Sequence, residues 1–221
     1  MIYHNICRGV FLARPNRFIA RVEISGLEET VHVKNTGRCR ELLVPGAEVW
    51  LAKSDNPARK TKYDLIAVRK SSGVLFNIDS QALNVAAGEW LTKQGFDRII
   101  PEYPFGLSRI DFYMERGSEK YLLEVKGCTL EREGIGYFPD APTERGTKHL
   151  KELTGAAARG YHAAVAFVMQ ADGMKLVLPN KETDPAFAAA LEAAKQAGVQ
   201  ILCLPCHVEP DKLEITGNPR I

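Results

Sequence analysis

The chain of 221 residues lacks any apolar run approaching the ~18 residues that a membrane helix needs, so no spanning segment is expected. Its start, Met1-Ile2-Tyr3-His4-Asn5, lacks the basic stretch and long apolar run of an export leader, and a cytoplasmic location is the expectation. Internal repeats and low-complexity tracts are absent. Cysteine is scarce and odd in number: Cys7, Cys39, Cys128, Cys203 and Cys206. A chain of this length buries a core without cross-links, so reduced thiols are expected. Cys203-Leu204-Pro205-Cys206-His207 has the spacing of a haem-attachment motif or of a partial zinc site. The missing leader argues against haem, and the lack of a second Cys/His pair nearby argues against zinc. The run Val199 to Leu204 reads instead as a buried strand that ends at Pro205.

Strong charge of one sign is also missing. The formal net charge is +2, with 45% hydrophobic and 25% charged residues, as in an ordinary globular protein. The balance is uneven along the chain. Residues 1–82 carry 13 Lys and Arg against 8 Asp and Glu, whereas residues 83–221 carry 16 against 19. A basic first part beside a mildly acidic second part suits polyanion binding in one and metal chemistry in the other.

Residues 1–82 read as all-β. Short β-rich runs (Val10 to Leu12, Arg17 to Ile24, Thr30 to Lys34, Val49 to Leu51, Leu65 to Val68, Val74 to Ile78) alternate with turn signals such as Arg14-Pro15-Asn16 and Ser72-Gly73. In the second run Arg17, Arg21 and Glu23 take one face, and Phe18, Ala20, Val22 and Ile24 the other. A small closed barrel, of which the five-stranded oligonucleotide-binding (OB) barrel is one form, would leave no long open edge.

Residues 83–221 alternate helix and strand. A helix is expected from an Asn84 N-cap to Gly95, then strands near Arg98 to Tyr103, Arg109 to Glu115 and Lys120 to Val125. A Gly- and Pro-rich loop from Gly127 to Pro142 leads to a helix from about Glu144 to Arg159. Strand Ala163 to Met169, a helix capped by Asp184-Pro185 and the strand from Val199 complete a mixed sheet flanked by helices.

The chemistry concentrates in one expected hairpin. Gly117-Ser118 forms a two-residue turn with Gly first, which sets Glu115 opposite Lys120 and Asp111 opposite Glu124. The period of two places Arg109, Asp111, Tyr113 and Glu115 with Lys120, Leu122, Glu124 and Lys126 on one face. The other face, Ile110, Phe112, Met114, Tyr121, Leu123 and Val125, is core. Facing carboxylates repel, and a hard divalent cation such as Mg²⁺ is the natural offset. Lys126, two residues past Glu124, could serve a water or a phosphate, and Glu102 on the preceding strand could add a third carboxylate. Arg145, Lys148, His149 and Lys151 stand near a helix start, a place that attracts phosphate oxygens, although His149 alone reads as a surface histidine.

Asp111 followed by Glu124-Val125-Lys126 on an α-β-β-β-α-β core resembles the PD-(D/E)xK nuclease superfamily. Four further segments resemble the sugar fermentation stimulation protein A family over nearly the whole chain. They are Thr36-Gly37-Arg38-Cys39-Arg40-Glu41-Leu42-Leu43, Ser108-Arg109-Ile110-Asp111-Phe112, Glu124-Val125-Lys126-Gly127-Cys128-Thr129-Leu130, and Phe138-Pro139-Asp140-Ala141-Pro142-Thr143-Glu144-Arg145-Gly146.

The resemblance implies an α/β chain, α+β overall: an N-terminal OB-like barrel in 1–82 and a PD-(D/E)xK nuclease-like mixed-sheet domain in 83–221. It implies DNA binding without sequence preference, to double or single strands, mainly through backbone contacts. It also implies a link to sugar (maltose) metabolism genes. By analogy, Asp111 and Glu124 would hold Mg²⁺ (or Mn²⁺), with Glu102 a less strict third ligand, and Lys126 would serve the attacking water. The candidate DNA-binding residues are Arg17, Arg21, Arg38, Arg40, Arg59, Lys60, Lys62, Arg109, Arg145 and Lys148, with Trp50 or Tyr63 as a base-stacking aromatic. Two functions lead, metal-dependent phosphodiester hydrolysis and a non-catalytic DNA-binding regulator that keeps the nuclease scaffold; a redox or metal-binding protein using Cys203 and Cys206 is the third alternative.

Overall fold

A computed structural model describes residues 1–106, 108–217, 219 and 221. The first half is a barrel. Strands β1 (Ile6–Asn16), β2 (Ile19–Ile24), β3 (Leu27–Val33), β4 (Glu48–Lys53), β5 (Tyr63–Arg69) and β6 (Leu75–Asn77) form one sheet in the order β3-β2-β1-β4-β5-β6. Parallel pairing of His32 with Asp64 and of Val33 with Leu65 joins β3 to β5 and closes β1–β5 on themselves. Closure removes the open edges that a five-strand sheet would otherwise present. Alternation fills the interior: Ala20 and Val22 of β2 and Val31 and Val33 of β3 are fully buried, while Arg21 and Glu23 face out. Phe18 departs from the expected core face. It stands in the β1–β2 turn, half exposed at 51%, because the strand begins only at Ile19.

The second half is a six-stranded mixed sheet in the order β15-β14-β12-β9-β8-β7. Its strands are β7 (Arg98–Phe105), β8 (Ser108–Arg116), β9 (Glu119–Cys128), β12 (His162–Met169), β14 (Gln200–Glu209) and β15 (Lys212–Ile215). β12 runs parallel to both β9 and β14. Helix α1 (Ala82–Leu91) covers one face with Ala82, Ala86 and Trp90 against Phe112, Leu123 and Val125. Helices α2 (Glu144–Ala157) and α3 (Pro185–Gln196) cover the other, packing Leu150, Leu153, Phe187 and Leu191 with Tyr113, Leu122 and Phe167. Apart from a small hairpin inserted before α2, this is the expected α-β-β-β-α-β order.

Several expectations change. The N-cap of α1 is Gln81, so Asn84 lies inside the first turn with its side chain free for another task. The Gly- and Pro-rich segment holds a hairpin of β10 (Leu130–Arg132) and β11 (Ile135–Phe138), and β11 pairs in parallel with β13 (Leu176–Pro179). Its turn residues, Glu133 and Gly134, both have positive φ, as a tight primed turn requires. The last strands extend further than expected: β14 passes through Pro205 to Glu209 and turns back into β15. Both faces of the β8–β9 hairpin are covered, since Tyr113 and Leu122 are as buried as Phe112 and Leu123. Among the described residues, no helix is long and apolar enough to cross a membrane.

Candidate metal and nucleic-acid site

The β8–β9 register runs from Arg116↔Glu119 to Phe112↔Leu123, and its continuation sets Asp111 opposite Glu124. At that row the backbone pairing stops and a side chain takes over. Asp111 Oδ2 accepts the Val125 N–H at 2.7 Å. Its Oδ1 accepts from Asn84 Nδ2 at 2.9 Å. On its other side β8 pairs with β7 in a register that sets Glu102 opposite Asp111, and here too the pairing skips the row. Glu102 has a φ of +51° and an exposed side chain, whose Oε1 lies 3.4 Å from the same Asn84 amide. Three carboxylates therefore share one row across three strands, and Asn84 of α1 bridges two of them.

Glu124 is 2% exposed. Its Oε1 pairs with Lys126 Nζ and with His149 Nδ1, while Oε2 is buried with no hydrogen-bond partner. An orphaned carboxylate oxygen in such a place is costly unless a cation or donor completes it. Burial raises the Asp111 carboxyl above its ordinary range, and the Glu124 charge adds to that. Burial also pushes Glu124 upward, but the His149 and Lys126 contacts outweigh it and hold the group below its ordinary value. The pair is an ionised carboxylate with an empty oxygen beside a second carboxylate made reluctant to ionise, a combination that a divalent cation would relieve. Among the described residues, no three His, Cys, Asp or Glu side chains converge as a ready ligand cage. Glu102, at the rim, is the outlying member.

His149 is a buried residue, not the surface histidine expected. It lies on the second turn of α2, whose start is fixed by Thr143: its Oγ1 accepts the Gly146 N–H at 3.0 Å, and its own N–H goes to Asp184 Oδ2 at 2.8 Å. Asp184 in turn caps α3 through the Phe187 N–H. One aspartate thus sets both helix starts. Gly127 follows Lys126 because Gln170 and Leu83 crowd it: a Cβ there would lie 2.6 Å from Leu83 Cδ1 and closer still to the Gln170 amide.

Asn84, Asp111, Glu124, Lys126 and Gly127 line a cleft of roughly 370 Å³ walled by Asn35–Gly37 of the barrel, the start of α1, Tyr137–Thr143 and the start of α2. Two basic depressions adjoin it. One, lined by Arg14, Asn16, Arg17, Arg38 and Arg40, shares Thr36 and Gly37 with the cleft. The other, lined by Glu102, Ser108, Arg109, Lys148 and His149, shares Arg145.

Other candidate cations are paired or lie away from the cleft. Arg59 makes two hydrogen bonds to Asp64, at 3.0 and 2.6 Å. Arg21 pairs with Glu28 and Lys62 with Glu29, both at 3.4 Å, and Lys60 is exposed on the β4–β5 connection. Lys148 pairs with Glu152 at 3.8 Å. Trp50 is buried under the Arg69 guanidinium and is unavailable for stacking; Tyr63 is half-buried. Cys203 and Cys206 fall on opposite faces of β14: the first accepts the Val177 N–H, and the second packs in the α1-side core, so they form no common ligand pair.

Residues 77–212 match the family model described as the sugar fermentation stimulation protein RE domain, and 12–78 match the SfsA N-terminal OB domain. A sugar fermentation stimulation protein homolog of Desulfitobacterium hafniense is 54% identical over 217 residues, covering 97% of this chain and 95% of that one. A homolog of Ruminiclostridium cellulolyticum is 49% identical over 219 residues, covering 97% and 96%. The solved structure of Pyrococcus furiosus SfsA in complex with Ca²⁺ superposes with a TM-score of 0.86 at 30% identity, covering 96% of this chain and 94% of that one.

Proposed function

The chain belongs to the sugar fermentation stimulation protein family, and on that premise we propose that it binds DNA through backbone contacts and hydrolyses phosphodiester bonds at a divalent-cation site formed by Asp111 and Glu124. The observation that carries this reading is the buried Glu124 Oε2, left without a partner in a cleft that also holds the Asp111 carboxylate. The oxygen donors suit Mg²⁺ or Mn²⁺, and the Ca²⁺ complex of the Pyrococcus furiosus relative supports a hard divalent ion in this family.

A cation held there would polarise a phosphoryl oxygen and lower the pKa of water. The chain's own groups do the rest. Asn84 and the Val125 N–H fix the Asp111 carboxylate, and His149 fixes Glu124. Lys126 brings a positive charge to the cleft, where charge develops on a phosphorane oxygen. Arg145, at the start of α2, joins the helix N–H groups as a phosphate anchor. Glu102 would complete the set from the rim.

A second reading, a non-catalytic DNA-binding regulator of sugar (maltose) metabolism genes, is favoured by the lack of three convergent acidic or histidine side chains among the described residues. The two part in one experiment. Linear, circular and single-stranded DNA are incubated with the protein in Mg²⁺, in Mn²⁺ and in EDTA, beside Asp111→Ala and Glu124→Ala. Cation-dependent products that vanish in both variants support the enzyme; binding without products under every condition supports the regulator.

A further inference from the structure

The β1–β2 turn is built more firmly than a connection of two residues needs. Asn16 Oδ1 accepts the N–H of Phe18 at 2.9 Å and of Ile19 at 3.1 Å, and the Phe18 carbonyl accepts from Val33 at 2.8 Å. Arg14 then ties this turn to the loop before β4. Its guanidinium donates to the carbonyls of Arg17, Asn35, Gly37 and Arg38 at 2.7–2.9 Å. The clamp presents, on a rigid backbone, an aromatic ring 51% exposed to solvent with the Arg17 guanidinium 5.9 Å from its centroid. Arg38 and Arg40 project from the clamped loop, and among the described residues no carboxylate pairs with Arg17, Arg38 or Arg40.

We propose that Phe18, Arg17, Arg38 and Arg40 form a docking platform for single-stranded DNA that leads one strand into the Asp111–Glu124 cleft. This rests on the reading that the cleft handles a phosphodiester. An exposed ring beside the Arg17 guanidinium, next to a depression lined by Arg17, Arg38 and Arg40, has the two elements that single strands require, a stacking surface for a base and cations for the phosphates. In a duplex the base faces are already stacked on one another and the ring finds no partner. Size leads to the same conclusion. A duplex cannot follow a cleft of roughly 370 Å³ to a carboxylate only 2% exposed, whereas a strand one nucleotide wide can. Thr36 and Gly37 line both the cleft and the depression that holds Arg17, Arg38 and Arg40, so the arginines lead directly to the cleft. The turn between the first two strands is also a connection that OB barrels use for oligonucleotides.

The test is a titration of full-length protein into fluorescein-labelled oligothymidylate and into a hairpin duplex with the same number of phosphates, in EDTA throughout. Phe18→Ala weakens single-strand binding about tenfold, the loss of one stacked base, and leaves duplex affinity unchanged. Phe18→Trp retains binding, and its fluorescence falls as single strand is added. Arg38→Ala with Arg40→Ala lowers the slope of log affinity against log salt by about 1.4, the counterion release lost when two single-strand phosphates are no longer neutralised. Single-strand affinity unaffected by Phe18→Ala, in a variant whose melting matches wild type, overturns the platform. The titration needs no cation, so a failure of hydrolysis leaves the platform standing, and single-strand affinity indifferent to Phe18 overturns the platform while leaving the phosphodiester reading of the cleft intact.

Discussion

Asp140 holds the backbone of Arg38: its Oδ1 accepts the Arg38 N–H at 3.0 Å, while Oδ2 accepts that of Cys39 at 2.9 Å. The two segments are about a hundred residues apart in sequence, one on the barrel and one on the loop before α2. Gly37 permits the approach, since a Cβ there would stand 2.9 Å from Asn35 Oδ1 and 3.0 Å from Asp140 Oδ1. Cys39 accepts a φ of +46° to turn its N–H inward. The contact closes one wall of the cleft and joins barrel to sheet.

Removing it has a measurable cost. A hydrogen bond to a charged acceptor contributes about 1.5–3 kcal/mol; the one from Arg38 is exposed and contributes less than that, so Asp140→Ala is expected to destabilise the protein by roughly 2–4 kcal/mol. Thermal unfolding followed by circular dichroism reads this directly, with a fall of about 5–10 °C for a chain of this size. Asp140→Asn, which keeps one acceptor oxygen, loses less. A melting temperature unchanged in Asp140→Ala would show that the latch carries no stability.

Asn84 makes a separate prediction. Its side-chain amide bridges Glu102 and Asp111. Outer partners of this kind typically contribute 10–100-fold in cation affinity (on the order of that range). Asn84→Ala is expected to weaken Mn²⁺ binding by about that factor while the fold stays intact. Paramagnetic broadening of bound Mn²⁺ is a suitable readout, and wild-type affinity in the variant would remove Asn84 from the site.

Asp64 carries a part of the acid limb of stability that one substitution isolates. Burial pushes this carboxyl up, but hydrogen bonds from Arg59 and Lys34 prevail and bring it down to about 2. A folded-state value below the unfolded one means that the contribution is complete above the ordinary range near 4 and is lost as pH falls through about 2. Its size is on the order of 2 kcal/mol. Urea midpoints for wild type and Asp64→Asn, measured from pH 6 down to about 2, should therefore converge as pH falls; a constant gap would contradict the assignment.

The cysteine motif gives a negative prediction with a physical reason. Cys206 is buried and its thiol is pushed up to about 12 by desolvation, with Asp172 adding to the rise. Cys203 is on the opposite face of the strand. Replacing both by serine or alanine is expected to leave DNA binding unchanged, and native Cys206 should alkylate far more slowly than after unfolding. Fast native labelling of Cys206 would show that the face assignment is wrong.

Much of the site was legible because hairpin arithmetic is rigid. A two-residue turn at Gly117-Ser118 leaves one register, and that register alone places Asp111 against Glu124. The barrel strands, the cap at Asp184 and the turn at Gly117 were legible for the same local reasons. Three features were not. Asn84 looked like a helix cap because Asn favours caps, but the helix begins two residues earlier and its amide serves Asp111 instead. His149 gave no sign of burial, since only the fold reveals that the α2 stripe of Leu150 and Leu153 turns it onto Glu124. Phe18 fitted the core alternation by parity, and only the closure of the β1–β2 turn one residue later places it in solvent.

The most direct test is calorimetric titration of Mg²⁺ and Mn²⁺ into wild type, Asp111→Asn and Glu124→Gln. One cation per chain in wild type, with binding lost in both variants while their folds persist, is the expected result. Equal cation binding by all three proteins, or by none, would contradict a site made by these two carboxylates.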